Sequence, residues 1–133
     1  METAGEKVYT INIPVKVTRE DLFNILWGAR HQGSTYWLED VIDSKGKTVC
    51  TEDTLIELID KNKPVGFVYP ETDDGSELGT AYLTLSSFIA GIEKYVAQYG
   101  DCIEDGAIDT CSIDSPSCDL ILQYALFGEQ VYG

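Results

Sequence analysis

Beyond Pro64 the chain is almost without positive charge: Lys94 is the one base among residues 65–133, and twelve acids there leave a net charge of −11. Histidine is as scarce, with His31 alone, and that removes most nucleophilic and metal chemistry. A Ser/His/Asp or Cys/His centre needs a base beside its nucleophile. A closed zinc site would have to gather distant residues around one imidazole and four cysteines, Cys50, Cys102, Cys111 and Cys118, whose spacing contains no CxxC pair. Reduced thiols are therefore expected, with Cys102 and Cys118 as small core fillers. No run of about 18 apolar residues occurs, so no membrane span is expected. The opening residues Met1 to Lys7 are acidic and polar with no apolar segment behind them, so no secretory signal is expected and a cytoplasmic location is. Neither GxGxxG nor GxxxxGK(S/T) is present, which leaves no loop for cradling phosphates.

What is there is a globular composition. The 133 residues are 44% hydrophobic, too rich for a disordered polyacid, and their length fits one domain, residues 1–133, able to bury a core without metal or disulfides. The 9 Lys+Arg and 23 Asp+Glu give −14, a body that repels phosphate backbones and anionic membranes, so direct nucleic-acid binding and charge-driven membrane attachment are disfavoured. Residues 1–64 carry only −3 of that. The asymmetry points to a directed field that draws a basic partner, against the plainer reading of a solvated acidic face.

Apolar and polar residues alternate from Val8 to Val17, with Tyr9, Ile11, Ile13, Val15 and Val17 on one face, which predicts a half-buried strand placed at an edge by Pro14. Thr18 is the expected cap of a first helix ending near Gly33, with Phe23 and Trp27 in the core. A short strand is expected at 35–42, a second helix from Thr51 to Asn62, and strands at Val65–Tyr69 and Ala81–Leu85. Between those strands, Pro70 to Gly79 reads as a hairpin with an acidic, mobile tip. A third helix keeps the 3.6-residue period from Phe88 to Tyr99. The last opens at Ser115-Pro116 and runs to Gly128, apolar nearly all round, which implies burial on most sides or a subunit interface. The expected fold is thus α+β, about four mostly antiparallel strands with four helices on one face, in the order β-α-β-α-β-β-α-α.

Two acidic groups are the candidate partner-binding residues: Glu71, Asp73, Asp74 and Glu77 on the hairpin, and Asp101, Glu104, Asp105 and Asp109 between the last two helices. The second group resembles a calcium loop, with Asp101, Asp105, Gly106, Ile108 and Asp109 at fitting positions, but Ile103 and Ser112 stand where two ligands belong. No metal or other cofactor is expected. His31, near the end of the first helix, reads as a satisfied or solvent-exposed histidine rather than a base. The tyrosines and Trp37 lack the positively charged groove that a base-stacking site needs.

Asp109-Thr110-Cys111, Ile113-Asp114, the run Gln123 to Glu129 and the closing Val131-Tyr132-Gly133 resemble a group of small phage and prophage proteins of Gram-positive gut bacteria. Tyr36-Trp37, Leu83-Thr84-Leu85, Phe88, Gly91 and Ile92 are similar to segments of the same group. The resemblance implies a phage setting and carries over no catalytic or binding residue. Small acidic proteins without catalytic motifs in that setting resemble inhibitors of host defence, such as anti-CRISPR proteins. The leading expectation is a non-enzymatic accessory protein in the host bacterial cytoplasm that blocks a basic host protein, a nucleic-acid-guided defence effector, through its acidic surface. The alternatives are an oligomeric sponge for a defence-signalling nucleotide, with Arg19, Arg30 or a lysine lining an aromatic pocket, and a structural phage protein. Self-association is expected through the apolar C-terminal helix.

Overall fold

Thr18 begins the first helix as its sequence requires: its hydroxyl accepts from Asp21 N at 3.1 Å while the Asp21 carboxylate accepts from Thr18 N at 2.8 Å, a reciprocal capping box. The computed structural model describes residues 5–133. Helix α1 (Arg19–Gly28) runs into a π turn over Ala29–Gly33, closed by Ser34 N donating to Ala29 O. Strand β1 (Asp40–Ile42), α2 (Glu52–Asp60), β2 (Val65–Pro70), β3 (Leu78–Leu83) and α3 (Leu85–Gln98) follow. A 3-10 turn (Gly100–Cys102), a small hairpin of β4 (Ile103–Glu104) and β5 (Ala107–Ile108), a second 3-10 turn (Thr110–Ser112) and α4 (Ser115–Phe127) complete the domain.

The larger sheet is antiparallel in the order β1-β2-β3, and β4 pairs with β5 alone. This is the expected α+β class with four helices. Val41, Val65, Phe67 and Leu83 point from the three-stranded sheet into the core, where they meet Leu26, Leu55, Ile59, Phe88, Ile121 and Leu122. Helices α3 and α4 cross closely because Gly91 has no side chain: a Cβ there would lie 2.8 Å from Ala125 N and 2.9 Å from Ile121 O.

Four expectations are corrected. Residues 8–17 form no strand; Val8, Tyr9, Ile11 and Ile13 are 71–82% exposed, and only Lys16 joins a ladder, in a parallel bridge to Ala107. The reason is a missing partner. On the β1 side the chain folds back on itself, with Val49 N donating to Val41 O and a bridge between Ile42 and Thr48, while Lys16 meets a hairpin only two residues deep. Trp27 lies 43% exposed against His31, not in the core. The strand expected at 35–42 shrinks to Asp40–Ile42, because Ser34 O takes Trp37 N and Leu38 N and curls the segment into a turn. The loop from Asp101 to Ser112 contains the extra hairpin β4-β5, whose turn places Asp105 at φ 52° and Gly106 at φ 76°, the two positive angles of a type I′ turn. The apolar girth of α4, which implied burial on most sides or a subunit interface, is buried inside the domain at Cys118, Ile121, Leu122 and Ala125, among α1, the π turn, α3 and β3.

Candidate functional site

The acidic residues of the β2-β3 hairpin sit on a loop braced by its own hydrogen bonds. Glu71 N donates to Glu77 O at 2.8 Å and Gly75 N to Thr72 O at 3.0 Å. The Thr72 hydroxyl donates to Asp74 Oδ1 at 2.8 Å, and Ser76 N donates to the same oxygen at 3.0 Å. These bonds, led by the Ser76 amide, hold the Asp74 carboxyl down at about 2, below the usual carboxylate range. The tip expected to be mobile is therefore internally tied, and Glu71, Asp73, Asp74 and Glu77 project from it exposed.

The second group is more dispersed. Asp101 lies in the 3-10 turn after α3, Glu104 and Asp105 on the exposed β4-β5 hairpin, and Asp109 is half-buried. Asp109 caps the next turn, accepting from Cys111 N at 3.1 Å and Ser112 Oγ at 3.2 Å. Among the described residues no three His, Cys, Asp or Glu side chains gather as a metal site would require. The two groups lie at opposite ends of α4. Tyr69, beside the hairpin tip, packs edge-on to Phe127 at 5.2 Å, and Pro70 O accepts from the Tyr132 hydroxyl at 3.1 Å, whereas residues 101–112 lead into Ser115. Thirteen helical residues separate them by roughly 20 Å. The structure thus gives two acidic surfaces rather than one face.

Ion pairing shows which acids are compensated. Among the described residues, Arg19–Asp53, Arg30–Glu52, His31–Glu52 and Lys61–Glu57 are the pairs, and every acid in them precedes Pro64. Lys94, the sole base of the second half, donates to Gly128 O and lies 4.9 Å from the Tyr124 ring centroid. None of the twelve acids in 65–133 has a cationic partner among the described residues, so the field expected from composition is a property of the folded surface.

Sequence reasoning missed two polar centres. In one, Glu52 is buried on the first turn of α2 and takes Arg30 Nη1 at 2.7 Å and His31 Nε2 at 3.0 Å, with Arg30 Nη2 on Val49 O at 2.9 Å. His31 is thus engaged with a carboxylate and stacked on Trp27, centroids 5.0 Å apart. Arg30 is consumed here, and Arg19 borders a cleft with Val17, Leu22, Ile56, Leu85 and Ile89 that holds no aromatic ring, so neither arginine lines the aromatic pocket a nucleotide sponge calls for.

The other centre is Asp119. Oδ1 accepts from Ser34 Oγ at 2.7 Å and Trp37 Nε1 at 2.8 Å, and Oδ2 from the Tyr36 hydroxyl at 2.8 Å and Gln123 Nε2 at 3.1 Å. Gln123 Oε1 in turn accepts from Val131 N at 2.7 Å and Tyr132 N at 2.8 Å, and the Tyr132 ring stacks on Trp37 at 5.1 Å. Four donors satisfy a buried carboxylate that no base approaches, and they tie the C-terminal residues to the π turn. Desolvation, then the bond to Asp119, pushes the Tyr36 phenol up to about 12. The one signal in the sequence is Asp119 and Gln123, four apart, in an otherwise apolar helix. Cys102 and Cys118 are buried as core fillers, Cys50 and Cys111 are exposed, and burial pushes the Cys118 thiol up to about 11. No described helix is long and apolar enough to cross a membrane. Comparison with family models, with curated proteins and with solved structures finds no match.

Proposed function

We propose that this is a non-enzymatic, phage-encoded accessory protein that binds and blocks a basic host protein, the nucleic-acid-binding effector of a guided, CRISPR-type defence system, in the host cytoplasm. The observation that carries the binding mode is the braced loop 71–77, where Glu71, Asp73, Asp74 and Glu77 project with no cationic partner among the described residues. Carboxylates held at a tip require little ordering on binding and present charge where a basic groove expects phosphates. The phage setting is supported by the resemblance of the C-terminal third.

Because the two acidic groups lie at opposite ends of α4, the hairpin tip is the primary contact and the 101–109 group a second one that steers approach. The test is retention of host-lysate proteins on the immobilised full chain, compared with a chain carrying Glu71→Gln, Asp73→Asn, Asp74→Asn and Glu77→Gln. A specific retained protein that is basic, elutes as salt rises, and is lost with the variant supports the proposal. Retention unaffected by salt or by the variant refutes it.

A further inference from the structure

The β3 edge and the N-terminal arm are two unfinished halves of a strand pair. Strand β3 is an outer strand of the sheet and pairs with β2 alone among the described residues. Two of the devices that keep an edge from pairing are missing: Leu78–Leu83 contains no charge and no proline. Its outer face shows Leu78 at 55% and Tyr82 at 56% exposed, continuing over Gly66 to Ile42. The opposite edge, at β1, is covered by the returning residues 47–49.

The arm has the complementary lack. From Val8 to Val15 the backbone makes no hydrogen bond among the described residues, although Tyr9, Ile11 and Ile13 alternate as a strand requires. Val8–Ile13, up to the donorless Pro14, is as long as the six-residue β3. Lys16 anchors the arm to its own hairpin through Gly106 O and Ile108 N, and residues 11–15 border a cleft along Ile89, Ile92 and Val96 of α3, a helix that offers them no ladder.

Charge decides the occupant. Lys7 to Lys16 holds two lysines and no acid on a chain of net −14. The β3 edge begins beside Glu77 and the loop bearing Glu71, Asp73 and Asp74. We infer that two copies of this chain associate by reciprocal arm exchange, the arm of each adding as a fourth strand to the β3 edge of the other. Antiparallel addition, the commoner pairing, sets the Lys16 end of the arm at the acidic loop of the second copy. Tyr9, Ile11 and Ile13 then extend the outer apolar face of Leu78 and Tyr82. Reciprocity about a two-fold axis closes the assembly at two copies, because each copy's single arm and single β3 edge are then both used. The inference does not rest on the proposed host partner, although the two share the acidic loop 71–77.

Sedimentation velocity on the full chain across the micromolar range tests it, with two single variants at exposed positions. Ile11→Glu disables the arm and Thr80→Pro disables the edge. The native chain is expected to be a dimer, each variant alone to dissociate at least about tenfold more readily, and the equimolar mixture to recover association through the one intact arm and edge. Circular dichroism and thermal melts confirm that both variants fold; Thr80→Lys replaces Thr80→Pro should the latter unfold. A native chain that stays monomeric, an edge variant that dimerises as the native chain does, or a mixture of folded variants that stays apart overturns the inference.

Discussion

Asp119→Ala removes the acceptor of four donors at once, and the structure says which of them matter. Ser34 Oγ and Trp37 Nε1 are buried and both point at Oδ1, so neither has a substitute when the carboxylate goes. A buried donor left unsatisfied costs about 1–3 kcal/mol, which makes roughly 2–6 kcal/mol for the pair. The Oδ2 side adds little: Tyr36 is 58% exposed and its hydroxyl turns to water, and Gln123 Nε2 keeps Tyr132 O at 3.2 Å. Against a total stability of about 5–15 kcal/mol for a domain, that is a large share. Urea unfolding followed by tryptophan fluorescence is the assay, because Trp37 is buried against this centre. With a slope of about 1–3 kcal/mol per molar, the midpoint is expected to fall by about 1 M or more at unchanged slope. Asp119→Asn, which keeps one oxygen, is expected to lose about half as much. A midpoint for Asp119→Ala within about 0.3 M of the native value refutes the reasoning, since water would then be serving the orphaned donors at no cost.

Gly91→Ala pushes a methyl onto the α4 backbone at Ala125 N and Ile121 O, so overpacking of about 1–3 kcal/mol outweighs the roughly 1 kcal/mol that alanine returns in helix propensity; thermal unfolding is expected to show a net loss. Tyr36 has its phenol raised to about 12 from 10, so the unfolded chain sheds that proton first: stability is full below pH 10 and declines as pH rises toward 12. Unfolding midpoints measured across that window are expected to fall less steeply in Tyr36→Phe, with Tyr95 and Tyr132, also raised by burial, keeping the remainder. Gly106→Ala strains the φ 76° position of the type I′ turn by about 1–2 kcal/mol, and hydrogen exchange is expected to accelerate at Ile108 N, which donates to Lys16 O.

The helices were legible because each is announced locally: Thr18 and Thr51 cap the first two as expected, while the third is capped by Thr84, just before the expected Ser86 or Ser87, and the last by Asp114, one residue before Ser115. The β2-β3 hairpin was legible from its two apolar runs and the acidic loop between them. A strand at 8–17 was not excluded by anything local, since alternation records a readiness to pair and says nothing of whether a neighbour exists. The calcium-like spacing at 101–112 overlaps Asp105-Gly106, a dipeptide that signals a tight hairpin in its own right. Asp119 escaped notice because its donors, Ser34, Tyr36 and Trp37, lie more than eighty residues away and reach it only through the π turn. The acids of the second half were countable from composition, but their lack of cationic partners among the described residues and the placing of the two candidate groups at opposite ends of α4 are facts of the fold.

Whether the 71–77 tip is a binding surface or a share of the bulk charge is settled most directly by calorimetric titration of a lysine-rich peptide into three chains. They are the native chain, the tip variant neutralised at Glu71, Asp73, Asp74 and Glu77, and a control neutralised at four exposed acids of the first half, Glu6, Glu20, Glu39 and Asp60. Both variants lose the same charge, so long-range attraction falls equally in each. A tip variant that binds at least about tenfold more weakly than the control bears the account out; equal weakening in the two contradicts it.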